Sequence, residues 1–191
     1  MRDRFFYPLL IVVIGVILYL ALIPGERTNN PDPKEVLLHG YILEDVDLQK
    51  LTAAPGTYVN YIGGQGGQPV IAVLATNIPR KLAEASAGVF GTLGPNYEKG
   101  FGGHEIKVTV TARAGKENPL EEFKAGYFTV GAGDSGWQKF TLSDEFEDYS
   151  FTFKTNKPKG KPANDFVGIW PGDDGKNETM ELKSIRIVVE D

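Results

Sequence analysis

The side chains able to hold a cation or move a proton are mostly acidic and fall into two clusters. Asp144, Glu145, Glu147 and Asp148 precede one extended run, and Asp173, Asp174, Asn177 and Glu178 crowd a loop. Calcium takes oxygen sets of this kind. Neither cluster has the spacing of an EF-hand loop, and Asp174-Gly175 is an ordinary hairpin turn. Both are expected to be solvated acidic loops. The two histidines, His39 and His104, form no HxH or HExxH pattern, so the zinc-binding arrangements built on those patterns are absent. The absence of cysteine excludes disulfides, thiolate metal sites, a cysteine nucleophile and a lipidated cysteine. No serine sits in a GxSxG elbow. The run Gly63-Gly64-Gln65-Gly66-Gly67 lacks the lysine and helix of a phosphate loop. A carboxylate pair is the hydrolytic arrangement left open. The chain is read as non-catalytic, without a cofactor, with a structural calcium as the one metal considered.

Charge narrows the partners. The 191 residues carry a net charge of −5. Arg2, Asp3 and Arg4 contribute +1 before Pro24, which leaves −6 on the remainder. No basic patch is longer than the loop at 157–161, and nucleic acid would require the opposite balance.

Residues 5–25, FFYPLLIVVIGVILYLALIPG, contain no charge. About 20 helical residues span a hydrocarbon layer of roughly 30 Å. As a helix inside a water-soluble domain this run would be apolar on every face. Tyr7 and Tyr19 suit the two interfaces, and Pro8 falls in the first turn, where a missing N–H costs little. The run is longer than a usual signal-peptide core, and Ala21-Leu22-Ile23-Pro24 offers no small-x-small cleavage site. An uncleaved signal-anchor is therefore expected over 5–24. Arg2 and Arg4 precede the span, whereas Glu26 and Arg27 cancel after it, so residues 1–4 are assigned to the cytoplasm. Residues 25–33 read as a polar linker, and 34–191 as a periplasmic domain in a bacterial inner membrane. Gly15 permits close approach of a neighbouring helix.

Beyond the linker, period-two alternation dominates. Residues 36–43, 57–62, 70–76, 105–113, 126–130, 138–142, 149–155, 166–170 and 181–189 read as strands. Ile106, Val108 and Val110 face one side, with Lys107, Thr109 and Thr111 opposite, as in an antiparallel sheet wet on one face. Helix is expected only at 79–87 and after Asn118-Pro119, where a cap, a first-turn proline and a closing glycine coincide. The fold class is thus mainly β, an antiparallel β-sandwich of jelly-roll type behind one transmembrane helix.

The second half resembles the jelly-roll carbohydrate-binding modules and the wider galactose-binding-like superfamily. The residues that carry the likeness lie within 101–191. HEIKVTVTARAG is followed by AGYFTVG. Trp137-Gln138-Lys139-Phe140 then leads into Phe146-Glu147-Asp148-Tyr149, and DFVGIWPG precedes the closing MELKSIRIVVED. The resemblance implies a binding rather than a catalytic domain, with structural calcium common among such modules. It also implies that Trp137 packs under the sheet. A glycan would need exposed aromatic platforms beside hydrogen-bonding groups. The candidates are Trp170, Tyr97, Phe101 and Tyr61, with Asn60, Gln65 and Asn96. Trp170 is either a rim platform or a core side chain, and Tyr97 and Phe101 are either binding tips or plugs at the sandwich end.

Fold does not fix function, and three readings stand. The leading one is an accessory subunit of an inner-membrane complex, respiratory or photosynthetic, with lipid and other integral subunits as partners. The alternative is a membrane-tethered module facing envelope polysaccharide. A hydrolase or assembly factor comes third.

Overall fold

The computed structural model describes residues 13–14, 31–84, 88–130 and 133–190. Of the expected anchor, only Val13 and Ile14 fall within that set, both helical. The rest of the span at 5–24, with its Gly15, and residues 25–30 of the 25–33 linker lie outside the described residues. Among the described residues, no helix is long and apolar enough to cross a membrane.

The domain opens with α1 (Pro33–His39), although residues 36–43 read as a strand. Asp32 caps it, its carboxylate accepting from the Lys34 N–H at 2.8 Å, and Pro33 supplies a preset first turn. Gly40 ends the helix at φ +68°, where a Cβ would lie 2.1 Å from the Ile187 carbonyl oxygen. The chain then extends as β1 (Tyr41–Glu44), makes a 3₁₀ turn at Asp45–Lys50, and continues through β2 (Thr52–Ala53), β3 (Thr57–Ile62) and β4 (Ile71–Thr76). A second 3₁₀ turn (Arg80–Leu82) is the only helical structure within the described part of 79–87. β5 (Val89–Leu93) leads to α2 (Pro95–Phe101) and then β6 (Glu105–Ala114). β7 (Glu122–Phe128), β8 (Gln138–Thr141), β9 (Glu147–Lys154), β10 (Asp165–Trp170) and β11 (Thr179–Val189) complete the order.

Two antiparallel sheets result. One runs β3-β4-β11-β6-β9, with β1 also paired to β11, and the other runs β2-β5-β10-β7-β8. β11 is long enough to pair with β4 over Thr179–Leu182 and with β1 over Ser184–Ile187, with an irregularity between Leu182 and Ser184. Alternation places Ile106, Val108, Val110, Leu182, Ile185 and Ile187 of the first sheet against Val89, Phe123, Tyr127, Val167 and Ile169 of the second. Each aliphatic buried this way contributes about 1.5–3 kcal/mol.

The helix expected after Asn118-Pro119 is instead the strand β7. Asn118 takes a left-handed φ of +50°, and the inward phase Phe123, Ala125, Tyr127 outweighs the local capping signals by burial.

Candidate functional site

The four aromatic platforms expected from the sequence do not form a site. Phe101 is fully buried, and Tyr97 is 7 % exposed. Both belong to α2, where Tyr97 packs edge-on against Tyr41 at 5.3 Å and Phe101 against Tyr127 at 6.4 Å. They plug the end of the sandwich. Tyr61 is half-buried on β3 of the six-stranded sheet and donates its hydroxyl to the Leu48 carbonyl at 3.1 Å. Trp170 has the outward phase of β10 yet is 0 % exposed. The Arg80 guanidinium lies 5.0 Å from its ring centroid and closes it off. Its Nε1 has no hydrogen-bond partner among the described residues. Asn60 and Gln65 lie on β3 and in the glycine turn, and Asn96 lies on α2.

A different aromatic cluster forms on the outer face of the five-stranded sheet. Adjacent residues of a strand face opposite sides, so Tyr127 and Val167, which point inward, send Phe128 and Phe166 outward. Phe166 pairs in register with Phe128 on one side and Thr92 on the other. Phe90 of β5 meets Phe166 edge-on at 5.7 Å, and Phe128 contacts Trp137 at 4.9 Å. All four rings are half-buried. Trp137 was expected under the sheet and instead lies outside it. The floor beneath it is Gly168, where a Cβ would come within 3.1 Å of the Trp137 ring and 3.2 Å of Phe128. The glycine lets the indole lie down on the backbone.

The segment 77–84 forms the wall of this face. Its course is set by the Arg80 N–H donating to the Asp173 carbonyl at 2.9 Å and by the Thr76 hydroxyl donating to the Ile78 carbonyl at 3.1 Å. The Arg80 side chain stacks between Trp137, at 5.2 Å, and Trp170, and donates to the Glu84 carbonyl at 3.1 Å. Between this wall and the sheet opens a cleft of about 420 Å³, with Phe90, Phe128, Phe166 and Gly168 at its base and Ala54, Pro55, Ile78 and Leu82 along its sides. That size falls within the range of small-ligand sites.

A separate buried group lies between the sheets. Asp165 is 1 % exposed, accepts from the Tyr127 hydroxyl at 2.5 Å, and leaves its other oxygen without a partner among the described residues. Burial pushes its carboxyl up to about 7. The nearby Glu98 charge adds to that rise, while the Tyr127 hydrogen bond opposes it. Glu98 is itself buried and accepts from the Ala163 N–H at 2.6 Å. Both carboxylates lie inside the sandwich, out of reach of a polymeric substrate.

Three carboxylates of the acidic clusters have cationic or hydroxyl partners. Asp173 pairs with Lys124 at 2.8 Å, Asp174 with Lys176 at 2.7 Å, and Asp148 accepts from Thr111 at 2.7 Å. Among the described residues, no group of three or more carboxylates and histidines is placed to hold a metal.

No protein-family model matches this chain, and no curated protein matches its sequence. Solved structures do match it in fold. One is a fragment of endo-1,4-β-D-xylanase 10B from Clostridium thermocellum, comprising its CBM22-1 and GH10 modules complexed with xylohexaose. It is 16 % identical over 78 % of this chain and 28 % of its own length, at a TM-score of 0.52. A second is the CBM22-2 xylan-binding domain of Xyn10C from Paenibacillus barcinonensis, 7 % identical over 78 % of this chain and 98 % of that domain, at 0.53. A CBM4 structure matches at 11 % identity and 0.51, covering 81 % of this chain and 98 % of its own. This chain spans less than half of the first two multi-module structures matched, 28 % of one and 46 % of the other. The domain thus has the antiparallel β-sandwich fold of carbohydrate-binding modules of families 22 and 4.

Proposed function

We propose that this chain is a non-catalytic glycan-binding module, tethered to a bacterial inner membrane by its N-terminal apolar run, and that the outer face of the five-stranded sheet is where it binds. The observation that carries this reading is the set of four half-buried rings, Phe90, Phe128, Phe166 and Trp137, on a glycine floor beside an open cleft. Sugar rings present apolar C–H faces that stack on such rings, and their hydroxyls turn to the polar rim and to water. The likeness in fold to xylan-binding domains agrees with this. The reading is tested by affinity electrophoresis of the detergent-solubilised full chain through gels holding single polysaccharides. Retardation by at least one polymer, lost in Trp137→Ala, is the expected result. Free migration through every gel counts against it.

The accessory-subunit reading draws support from a separate observation. Leu37, Leu38, Ile42 and Val46 are all exposed within ten residues of sequence at the start of the domain, where the chain leaves the proposed anchor. Exposed apolar groups clustered in this way suit contact with a protein or a membrane. Copurification of partner subunits in mild detergent, reduced by Leu38→Glu or Gly15→Leu, would favour it over the glycan reading.

A further inference from the structure

Among the described residues, the cleft beside the aromatic face has few polar side chains, and that restricts which part of a glycan can enter it. Of its described lining residues, only Glu84 has a polar side chain; the others are alanine, proline, glycine, isoleucine, leucine and phenylalanine. A hydroxyl carried into such a space exchanges water for carbon. Stranding one weakens binding by about tenfold. A buried methyl in the same position strengthens it by about fourfold. The surface around the cleft differs. Thr92, next to Phe166 in register, is exposed at the rim, and the Trp137 and Phe128 rings are half-buried. A polymer lying on those rings can keep its hydroxyls outside while a substituent points into the cleft.

We infer that the cleft takes the acetyl groups of an acylated polysaccharide, an inference that rests on the glycan reading above. An acetyl group brings a methyl for the apolar base and no donor of its own to strand, and its carbonyl can stay at the open mouth of the cleft. A volume of about 420 Å³ accommodates the group together with the C–H face of the ring that bears it. Acetyl groups reach polysaccharides as esters on hydroxyls or as amides on amino sugars; the amide adds one N–H, which stays with the sugar ring at the rim, and the methyl fills the cleft in both.

The experiment uses paired probes that differ only in acetylation. Native acetylated xylan is compared with the same xylan after mild alkaline de-esterification. A hexamer of N-acetylglucosamine is compared with the glucosamine hexamer in 0.5 M salt, which screens the amine charge. Titration calorimetry on the solubilised full chain is expected to show about tenfold tighter binding of the acetylated member in one arm, and that arm identifies ester or amide. Leu82 is 73 % exposed, so Leu82→Ser should leave the melting temperature unchanged while narrowing the preference to less than about threefold. Equal or weaker binding of the acetylated member in both arms overturns the inference, as does a preference untouched by Leu82→Ser. If polysaccharides are retained in the gels above without an acetyl preference, this inference alone falls. If none is retained and neither arm binds, the glycan reading falls with it.

Discussion

On the outward positions of the six-stranded sheet, polar side chains pair across strands. Thr109 and Ser150 share a hydrogen bond at 2.9 Å, Thr111 donates to Asp148, Ser184 donates to Thr111 at 2.9 Å, and Lys107 meets Glu190 at 3.3 Å. On the corresponding positions of the five-stranded sheet stand Phe90, Phe128, Phe166 and the two glycines Gly126 and Gly168. The first face pairs these polar groups among themselves, with Ile42, Tyr58 and Ile62 exposed on its β1 and β3 strands. The second leaves apolar area that only another molecule, or another part of the chain, can cover. The buried carboxylates differ in the same sense. Glu181 of β11 accepts from the Arg113 guanidinium at 2.6 Å, whereas Asp165 of β10 has a single neutral partner, the Tyr127 hydroxyl. The buried ion pair belongs to one sheet, and the uncompensated carboxylate and the outward ring cluster belong to the other.

The largest expected effects test whether the sheets are equivalent on their inner faces. Val108→Asp and Val167→Asp each bury an unpaired charge and should cost at least about 3 kcal/mol in urea unfolding. Tolerance of either change would break the inward assignment of its sheet.

Asp165 gives the next effect. Its folded-state carboxyl is raised from 3.8 to about 7, so between those values the folded state holds a proton that the unfolded chain has released. The stability tied to this group is complete below pH 4 and is lost as pH rises towards 7. The loss amounts to at most about 4 kcal/mol. Asp165→Asn should therefore gain stability relative to wild type at pH 8 compared with pH 4. A difference that does not change with pH would show that Asp165 remains ionised in the folded protein.

Trp137→Ala should weaken polysaccharide binding by about 1–2 kcal/mol in the titrations described above. The smallest effect belongs to the opposite face. Thr109→Ala should cost about 0.5 kcal/mol of stability and leave binding unchanged. Equal losses of binding in the two variants would erase the distinction between the faces.

Most strands were legible because one wet face forces alternation. Residues 57–62 read as a strand with the bounds that β3 takes, and 105–113 falls one residue short of β6. The missed elements have local reasons. β5, Val89-Phe90-Gly91-Thr92-Leu93, carries a phenylalanine on its outward phase and a glycine on its inward one, which hides the period. α1 and α2 have seven residues each, too few to display a helical stripe. Missing β5 removed Phe90 from view. Phe128 and Phe166 left a readable signal, since a buried aromatic or valine beside each requires them to face outward.

The sequence by itself determined the period, and with it the side of the sheet on which each strand residue lies, because successive side chains of an extended chain must diverge. Its lack of cysteine and of paired histidines also decided which chemistries are absent. What lies above an outward side chain was decided only by the tertiary structure. Phe166 and Trp170 share the same phase of the same strand, four residues apart. The segment carrying Arg80, about ninety residues earlier in the chain, crosses over Trp170 and stops short of Phe166. One ring is sealed and the other lines an open cleft. The difference arises from a long-range contact, which local periodicity does not encode.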